Sequence, residues 1–238
     1  MAGLILIAVA AFFFPGVIVR TKSIASGRKG PGIFQPWKDI SVLLRKGSVF
    51  SDTTGLVFRI APSVTLVTVT GAMLLLPFAE QKALISFEGD FILFAYLLAL
   101  GRFFTIIAAL DTGSSFQGMG ASREALFSML VEPAFFILLA TFAMFTGYTS
   151  FSVIFNHFFI TGNDYVLIYS IIGAYLFVQI AMVENSRLPV DDPKTHLELT
   201  MIHEVMILDY SGFDKALIHI GTYLKFAIYG SLIYNLVV

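Results

Sequence analysis

Apolar residues fall along this chain in six long blocks separated by shorter polar breaks. The blocks cover residues 2–19, 60–79, 91–110, 124–147, 165–186 and 216–238. Each approaches the ~20 apolar residues that a helix rising 1.5 Å per residue needs to cross a hydrocarbon core. The pattern predicts an all-α, polytopic transmembrane bundle of about six membrane helices, a single membrane domain over residues 1–238. No internal repeat and no low-complexity segment interrupts it.

Three segments depart from the apolar pattern: 20–59, 111–123 and 187–214. In the first, GRKGPG at 27–32 is a turn-rich hinge. Beyond it Ile33, Trp37, Ile40 and Leu44 step by four, three and four, while Lys38, Asp39, Arg45 and Lys46 fall between them. That spacing predicts a short amphipathic helix lying in the membrane interface, too short and too charged to span. The second segment, DTGSSFQGMGASR, is rich in glycine and serine, with Arg123 and Glu124 at the start of the fourth helix. The third opens with two prolines around Asp191 and Asp192 and then becomes helix-like, with Leu197, Met201, Val205 and Leu208 at helical intervals.

Composition agrees that lipid is the solvent. Of the residues, 57% are hydrophobic and 13% charged, and mean hydropathy is +0.85, well above what a soluble core needs. The 25 Phe residues recur in every long apolar block. A net charge of −1 hides an asymmetry. Segment 20–59 carries Arg20, Lys22, Arg28, Lys29, Lys38, Arg45, Lys46 and Arg59 against Asp39 and Asp52, which marks it cytoplasmic by the positive-inside rule. Alternation then puts 111–123 and 187–214 on the same side and the N-terminus outside. The connections at 80–90 and 148–164, with Glu80, Glu88, Asp90 and Asp164 against Lys82, fall outside. The basic residues follow the first apolar block rather than precede it, the reverse of a secretory signal. With no cysteine, the chain offers no thiolate for an iron–sulfur cluster.

Ionisable groups at membrane depth are costly unless paired or wetted, so the few present are the functional candidates. Arg102 lies about eight residues from the inner end of the third block, and Glu132 about eight from the inner start of the fourth. Both are thereby placed on the order of 12 Å deep from the same side, able to face each other. Lys225 falls in the same layer, and Glu184 ends the fifth block nearer the cytoplasm. Two readings stand. Arg102 and Glu132 form a fixed ion pair while Lys225 snorkels to an interface, or these groups line a hydrated path in which carboxylates exchange protons and cations tune them. On the otherwise basic side, Glu184, Asp191, Asp192, Glu198, Glu204 and Asp209 concentrate acid around His196 and His203. A metal site from His196, Glu198 and His203 is chemically conceivable, but the zinc-protease pattern fails because Ile207 stands where the second histidine belongs. No phosphate loop, nucleophile elbow or nucleic-acid surface is evident.

ENSRLPVDDPKTHLELTMIHEVMILDYSG at 184–212 resembles the loop between the fifth and sixth helices of the membrane subunit shared by complex I and the group 4 membrane-bound [NiFe]-hydrogenases. GRKGPGIFQPWKDISVLLRK at 27–46 is similar to that family's hinge and interfacial helix, and DTGSSFQGMGASREALFSMLVEP at 111–133 resembles the formate hydrogenlyase branch. The resemblance implies a subunit of the inner (cytoplasmic) membrane that anchors a peripheral arm of hydrogenase-type large and small subunits. That arm would carry the [NiFe] centre and iron–sulfur clusters, none of which this chain would hold. It also implies a proton or sodium route toward antiporter-like membrane subunits. By the same match Glu132 is the acid of the fourth helix, Arg123 the arginine opening it, Glu184 the acid ending the fifth, and Asp191, Asp192, Glu198, Glu204 and Asp209 acids of the loop. His203, Arg102 and Lys225 join them as pathway candidates, and Arg28, Lys29, Trp37, Arg123 and Arg187 are the candidate arm contacts. The family fold has eight membrane helices where this sequence shows six, so the expectation is a shortened member or a piece of a longer one. Two other functions remain: a complex I type subunit forming a quinone chamber between its first helix, its interfacial helix and the arm, and a passive anchor.

Overall fold

A computed structural model of the chain describes residues 2–78, 81–160, 164–187, 190–191 and 202–237. Among these the elements are α1 (Ala2–Ala25), α2 (Gln35–Leu44), α3 (Leu56–Leu74), α4 (Asp90–Asp111), α5 (Ser115–Thr146), α6 (Phe151–Ile160), α7 (Asp164–Glu184), α8 (His203–Met206) and α9 (Gly212–Val237). Six of them, α1, α3, α4, α5, α7 and α9, are long and apolar enough to cross a membrane. The chain is a multi-pass helical membrane protein.

Five of the six close a ring. Helix α3 packs on α4, α4 on α5, α5 on α7, α7 on α9, and α9 returns to α3; α1 lies outside the ring against α9. Apolar helices in lipid gain little from burying grease, so close contact depends on small residues that let surfaces approach. Gly101 of α4 is one: a Cβ there would come within 2.6 Å of the Thr68 hydroxyl of α3. Gly173 of α7 is another, facing the Phe142 ring of α5. Outward faces stay apolar and open, as at Met144, Tyr165 and Leu167, as acyl chains require.

One half of the ring is filled by aromatic rings. Phe151 of α6 meets Phe94 of α4 at 5.2 Å, Phe94 meets Phe135 of α5 at 6.0 Å, and Phe135 meets Phe177 of α7 and Tyr229 of α9 at 6.0 and 6.3 Å. Phe177 continues to Phe142, and Phe142 to Phe158 of α6. All seven side chains are buried. Asp90 closes this end. Its carboxylate accepts from the Ser150 hydroxyl and the Phe151 amide, both at 2.8 Å, and so caps α6 from the start of α4.

The connections gather at two opposite ends. At one, Gly89 N–H donates to Thr149 O and Ala83 N–H to the Ser152 hydroxyl, joining the connections after α3 and α5. At the other lie the basic hinge, α2, the turn between α4 and α5, and α8. Here Asp111 accepts from Gly55 N–H at 2.8 Å, capping α3. Tyr210 stacks on Phe58 at 3.9 Å and its hydroxyl donates to Phe58 O at 2.8 Å. Burial, with Asp214 and Asp111 nearby, pushes the Tyr210 hydroxyl up, so it remains a donor. Ser211 is bonded to Val49 in both directions. Gly212 has φ +51°, and its α-carbon lies so close to Gly47 O that no side chain fits.

Helix α2 is the expected amphipathic element, held by more than its stripe. Pro36 and Ile40 are buried, Leu44 is exposed, and the Trp37 indole stacks on Phe12 of α1 at 4.3 Å while its N–H donates to Phe12 O. Two expectations need correction. Helix α5 does not start at Arg123 and Glu124: it already begins at Ser115, with Gly118 and Gly120 inside it, and Gly120 lets it pack against the Ile202 carbonyl and Met206 of α8. The connection at 148–164 holds a further helix, α6, ten residues long and so unable to span. Of the proposed helical stripe after Asp192, Leu197 and Met201 lie outside the described residues, and Leu208 is exposed.

Candidate functional site

The charged residues at membrane depth converge inside the ring. Arg102, halfway along α4, turns its side chain inward, where 4% of it remains exposed. A lone guanidinium in such a place would be very costly, and it is not alone. It presents a different nitrogen to each of three carboxylates: Nη2 to Glu184 of α7, Nε to Glu124 at 3.4 Å, and Nη1 to Glu132 at 3.7 Å, the last two on α5. Nη1 also donates to the Ser128 hydroxyl at 3.0 Å, and that hydroxyl donates to the Glu124 carbonyl. From α9, Lys225 Nζ meets the other oxygen of Glu184 at 2.7 Å. Four helices of the ring thus contribute to one cluster.

The carboxylates are not equivalent. Glu184 and Glu124 keep 5% and 11% of their side chains exposed, whereas Glu132 keeps 39% and sits at the rim of the cluster. The apolar pattern alone starts a helix at Glu124, near the interface. Because α5 begins nine residues earlier, Glu124 lies well inside the helix and joins the buried set. Glu184 likewise reaches the Arg102 layer rather than standing nearer the membrane surface, and it, not Glu132, is the main partner of Arg102.

Three cavities adjoin the cluster in series. The central one, about 60 Å³, is bordered by Arg102, Glu124, Glu184, Lys225 and the hydroxyls of Thr65, Thr105 and Thr222. Val69, Leu98, Met206 and Ile218 complete a largely apolar wall around these polar groups, and the space has room for a few waters at the ~10–15 Å³ each requires. It shares Asn185, Ser186, His203 and Thr222 with a cavity of about 170 Å³ that opens among α1, α2, α8 and α9 and is also bordered by Arg187, Asp191, Glu204 and His219. On the other side it shares Leu98 and Glu184 with a small space of about 10 Å³ that reaches Glu132 and Tyr229.

His203 stands where the two larger cavities meet. The Asp191 carboxylate fixes it through the backbone, accepting from the Ile202 and His203 amides at 3.2 and 3.0 Å and capping α8. Desolvation, reinforced by Lys225, His219 and Arg187, lowers the imidazole to about 4, so it is neutral at physiological pH. Its buried Nε2 has no hydrogen-bond partner among the described residues.

The structure therefore brings together Arg102, Glu132, Glu184 and Lys225, and places Asp191, His203 and Glu204 along the adjoining cavity. Asp209 is exposed, away from these cavities. Asp192 and Glu198, with His196 of the conceivable metal trio, lie outside the described residues. Of the arm contacts, Arg28 and Lys29 are exposed and Arg123 is half-buried. Arg187 borders the large cavity with its guanidinium 5.9 Å over the Phe226 ring, and Trp37 faces α1.

A family model described as NADH dehydrogenase matches residues 1–238. Hydrogenase-4 component C of Escherichia coli (strain K12) is 33% identical over 219 residues, covering 92% of this chain and 68% of that protein. Formate hydrogenlyase subunit 4 of the same strain is 34% identical over 225 residues, covering 93% and 71%. A NADH-quinone oxidoreductase subunit of Bordetella avium (strain 197N) is 25% identical over 204 residues, covering 81% of this chain and 56% of that one. Among solved structures, a chain of the membrane-bound sulfane sulfur reductase, an archaeal respiratory membrane complex, superposes with a TM-score of 0.79 at 18% identity, over 98% of this chain and 75% of its own, and so shares the fold. This chain belongs to the NADH dehydrogenase family of membrane subunits, with higher identity to the hydrogenase-type relatives than to the quinone oxidoreductase subunit.

Proposed function

We propose that this chain is the membrane anchor and ion-pathway subunit of an energy-converting respiratory hydrogenase. It couples electron transfer in a peripheral arm, which carries the [NiFe] centre and iron–sulfur clusters, to proton or sodium movement. The observation that carries this reading is the series of cavities, each bordered by ionisable side chains, from Asp191 and Glu204, past His203, through the Arg102 cluster, to part-exposed Glu132 on α5. A passive anchor has no need of five charged residues at one depth with cavities between them.

The basic end is cytoplasmic, with the N-terminus outside, in the inner membrane. Arg28, Lys29, Arg123 and Arg187 meet the arm, and Trp37 holds α2 in place for it. Movement at the arm changes how Asp191 caps α8, which repositions His203 and the access of water to Glu184. Glu184 and Glu132 then pass the charge on beside the cations Arg102 and Lys225 that they meet. Antiporter-like subunits receive the charge at Glu132, whose carboxylate is part-exposed at the edge of the small space.

Glu132→Gln in the intact complex tests the reading. It removes an ionisable carboxyl and leaves Arg102 paired with Glu184 and Glu124. Assembly and redox turnover in detergent are expected to continue while ion translocation in sealed vesicles is lost; undiminished translocation would leave only the anchor role. A second reading, a quinone chamber, is favoured by the 170 Å³ cavity between α1 and α2, lined in part by Pro15, Ile18 and Pro36. Quinone-dependent electron transfer by the purified complex, abolished by a bulky substitution at Ile18, would establish it.

A further inference from the structure

We infer that the cavity of about 170 Å³ among α1, α2, α8 and α9 is a site for one phospholipid of the zwitterionic, primary-ammonium class. Its phosphate lies at Arg187, its ammonium at Glu204, and its chains run along the seam of α1 and α9. The inference goes beyond ion movement and does not depend on it. It bears on the quinone reading alone, because the two ligands claim the same cavity.

Unmet polar groups gather at this cavity. Its charged and imidazole side chains are Arg187, Asp191, Glu204, His203 and His219. Asp191 is committed, its two oxygens accepting the Ile202 and His203 amides. Arg187 and Glu204 are not: among the described residues neither joins an ion pair, with the other or with a third group. The buried Nε of Arg187, Oδ1 of Asn185 and Nε2 of His203 also lack hydrogen-bond partners there. Unmatched polar atoms are costly in a protein interior, so three at one cavity point to a ligand with complementary ones. The backbone is shaped to present them. Helix α7 ends in a turn in which Ser186 N–H donates to Val183 O and Arg187 N–H to Met182 O, with Ser186 at φ +46°, a place usually taken by glycine. That turn brings Asn185 and Arg187 to the cavity wall.

The set suits both signs of charge at once. A guanidinium matches a phosphate, while Glu204 and the Asn185 side-chain oxygen match an N–H donor. Arg187 has donors on several edges, so Nε can hold a phosphate while the Nη groups remain for the arm. A quinone brings carbonyl acceptors and leaves Glu204 and Asn185 unmatched, and so does a free phosphate. Position decides for a lipid. The cavity is walled by Pro15, Ile18 and Val19, where the apolar block of α1 gives way to Arg20 and Lys22, and by Pro36 of α2. That is the depth of headgroups. Val19 keeps 40% of its surface exposed, so the wall reaches the outside of the bundle. An apolar track leads away from Arg187: its guanidinium lies 5.9 Å over the Phe226 ring of α9, and Phe226 meets the exposed Phe14 of α1 at 5.7 Å. The cavity is well below the roughly 300–1,000 Å³ of pockets that enclose a whole small molecule, so it takes the headgroup and leaves the chains to this seam.

The test counts bound molecules by native mass spectrometry on the intact complex, stripped in detergent and then given phosphatidylethanolamine, phosphatidylglycerol, ubiquinone or inorganic phosphate. Wild type is expected to retain one phosphatidylethanolamine more than Arg187→Gln or Ile18→Trp, the second of which fills the apolar wall. Glu204→Gln is expected to lose about tenfold in preference for phosphatidylethanolamine over phosphatidylglycerol. Equal lipid counts in wild type and both variants overturn the inference. So does displacement of the lipid by inorganic phosphate, or retention of ubiquinone that Ile18→Trp abolishes, which would establish the quinone chamber instead. A second measurement needs no variant. Wild-type complex is photolabelled with a phosphatidylethanolamine bearing a diazirine in its acyl chain, and label is expected on the peptides holding Phe14 and Phe226. Unlabelled phosphatidylethanolamine should suppress it and phosphatidylglycerol should not. Label spread over the outward helix faces without such competition overturns the site. Neither assay reads ion movement, so failure of the ion-pathway reading leaves both results standing.

Discussion

The three contacts of Arg102 make its carboxylate partners unequal in what their removal costs. Replacing Arg102 by Gln strands Glu184 and Glu124, both nearly buried, and removing one member of a buried pair costs roughly 3–5 kcal/mol. Arg102→Gln is therefore expected to lower the midpoint of thermal unfolding in detergent sharply, and Arg102→Gln with Glu184→Gln to recover part of the loss. Glu132→Gln leaves Arg102 with two partners and should change that midpoint little. If the two single variants were equally damaging, the view of Glu132 as a rim group would be wrong. The sequence disclosed the cast of this cluster but not its pairing. Counting residues from block ends puts Arg102 and Glu132 at one depth, yet it carries no information on how far each helix slides past its neighbour. Glu124 is hidden by a helix start that lies nine residues before the apolar block, and Glu184 by its place at the end of a block.

Helix α8 is four residues long and cannot hold itself in place, so its position depends on ties at both ends. Asp191 caps its start; Tyr210, Ser211 and Gly212 fasten its far side to the segment before α3 and to α3 itself. His203 makes this element sensitive to acid. Its pKa falls from 6.5 unfolded to about 4 folded, so below pH 6.5 the unfolded chain takes up a proton that the folded chain refuses. Stability is unaffected above that pH and falls as pH drops from 6.5 toward 4, by on the order of 3 kcal/mol at most. His203→Gln should flatten this part of the pH–stability curve, measured by protease protection of the 202–212 segment. A curve equally steep without His203 would assign the effect elsewhere. Short elements are also the least legible in the sequence. Helix α6 is invisible there because ten largely apolar residues inside a connection resemble the fringe of a span, and its cap, Asp90, belongs to another helix. The first turns of α5 are masked by Gly118 and Gly120, which read as loop formers until α8 is seen packed against them. Helix α2 is legible in its stripe, while the role of Trp37 in holding it to α1 is not.

At the scale of the whole molecule, the six apolar blocks became the six long helices because span length is fixed by the bilayer and needs no tertiary information. The closed ring of five, with α1 outside, was not in the pattern, since membrane helices choose neighbours through small residues and polar contacts rather than hydrophobicity. The chain contains no cysteine, so single cysteines report topology without background. Lys29→Cys and Asp209→Cys should react with an impermeant maleimide from one face of the membrane and Lys82→Cys from the other. Reaction of Lys29→Cys and Asp209→Cys from opposite faces would break the arrangement.

The linked phenylalanines that fill the ring between α6 and Tyr229 have a consequence for leakage. A polar route that ran straight across one bundle would let the membrane gradient collapse through the subunit whenever the arm stood idle. Here the cavities end against stacked rings, and Glu132 stands part-exposed at their edge. On the reading proposed above the aromatic half works as an insulator: charge taken in from one side of the membrane would leave only toward a neighbour in place to receive it.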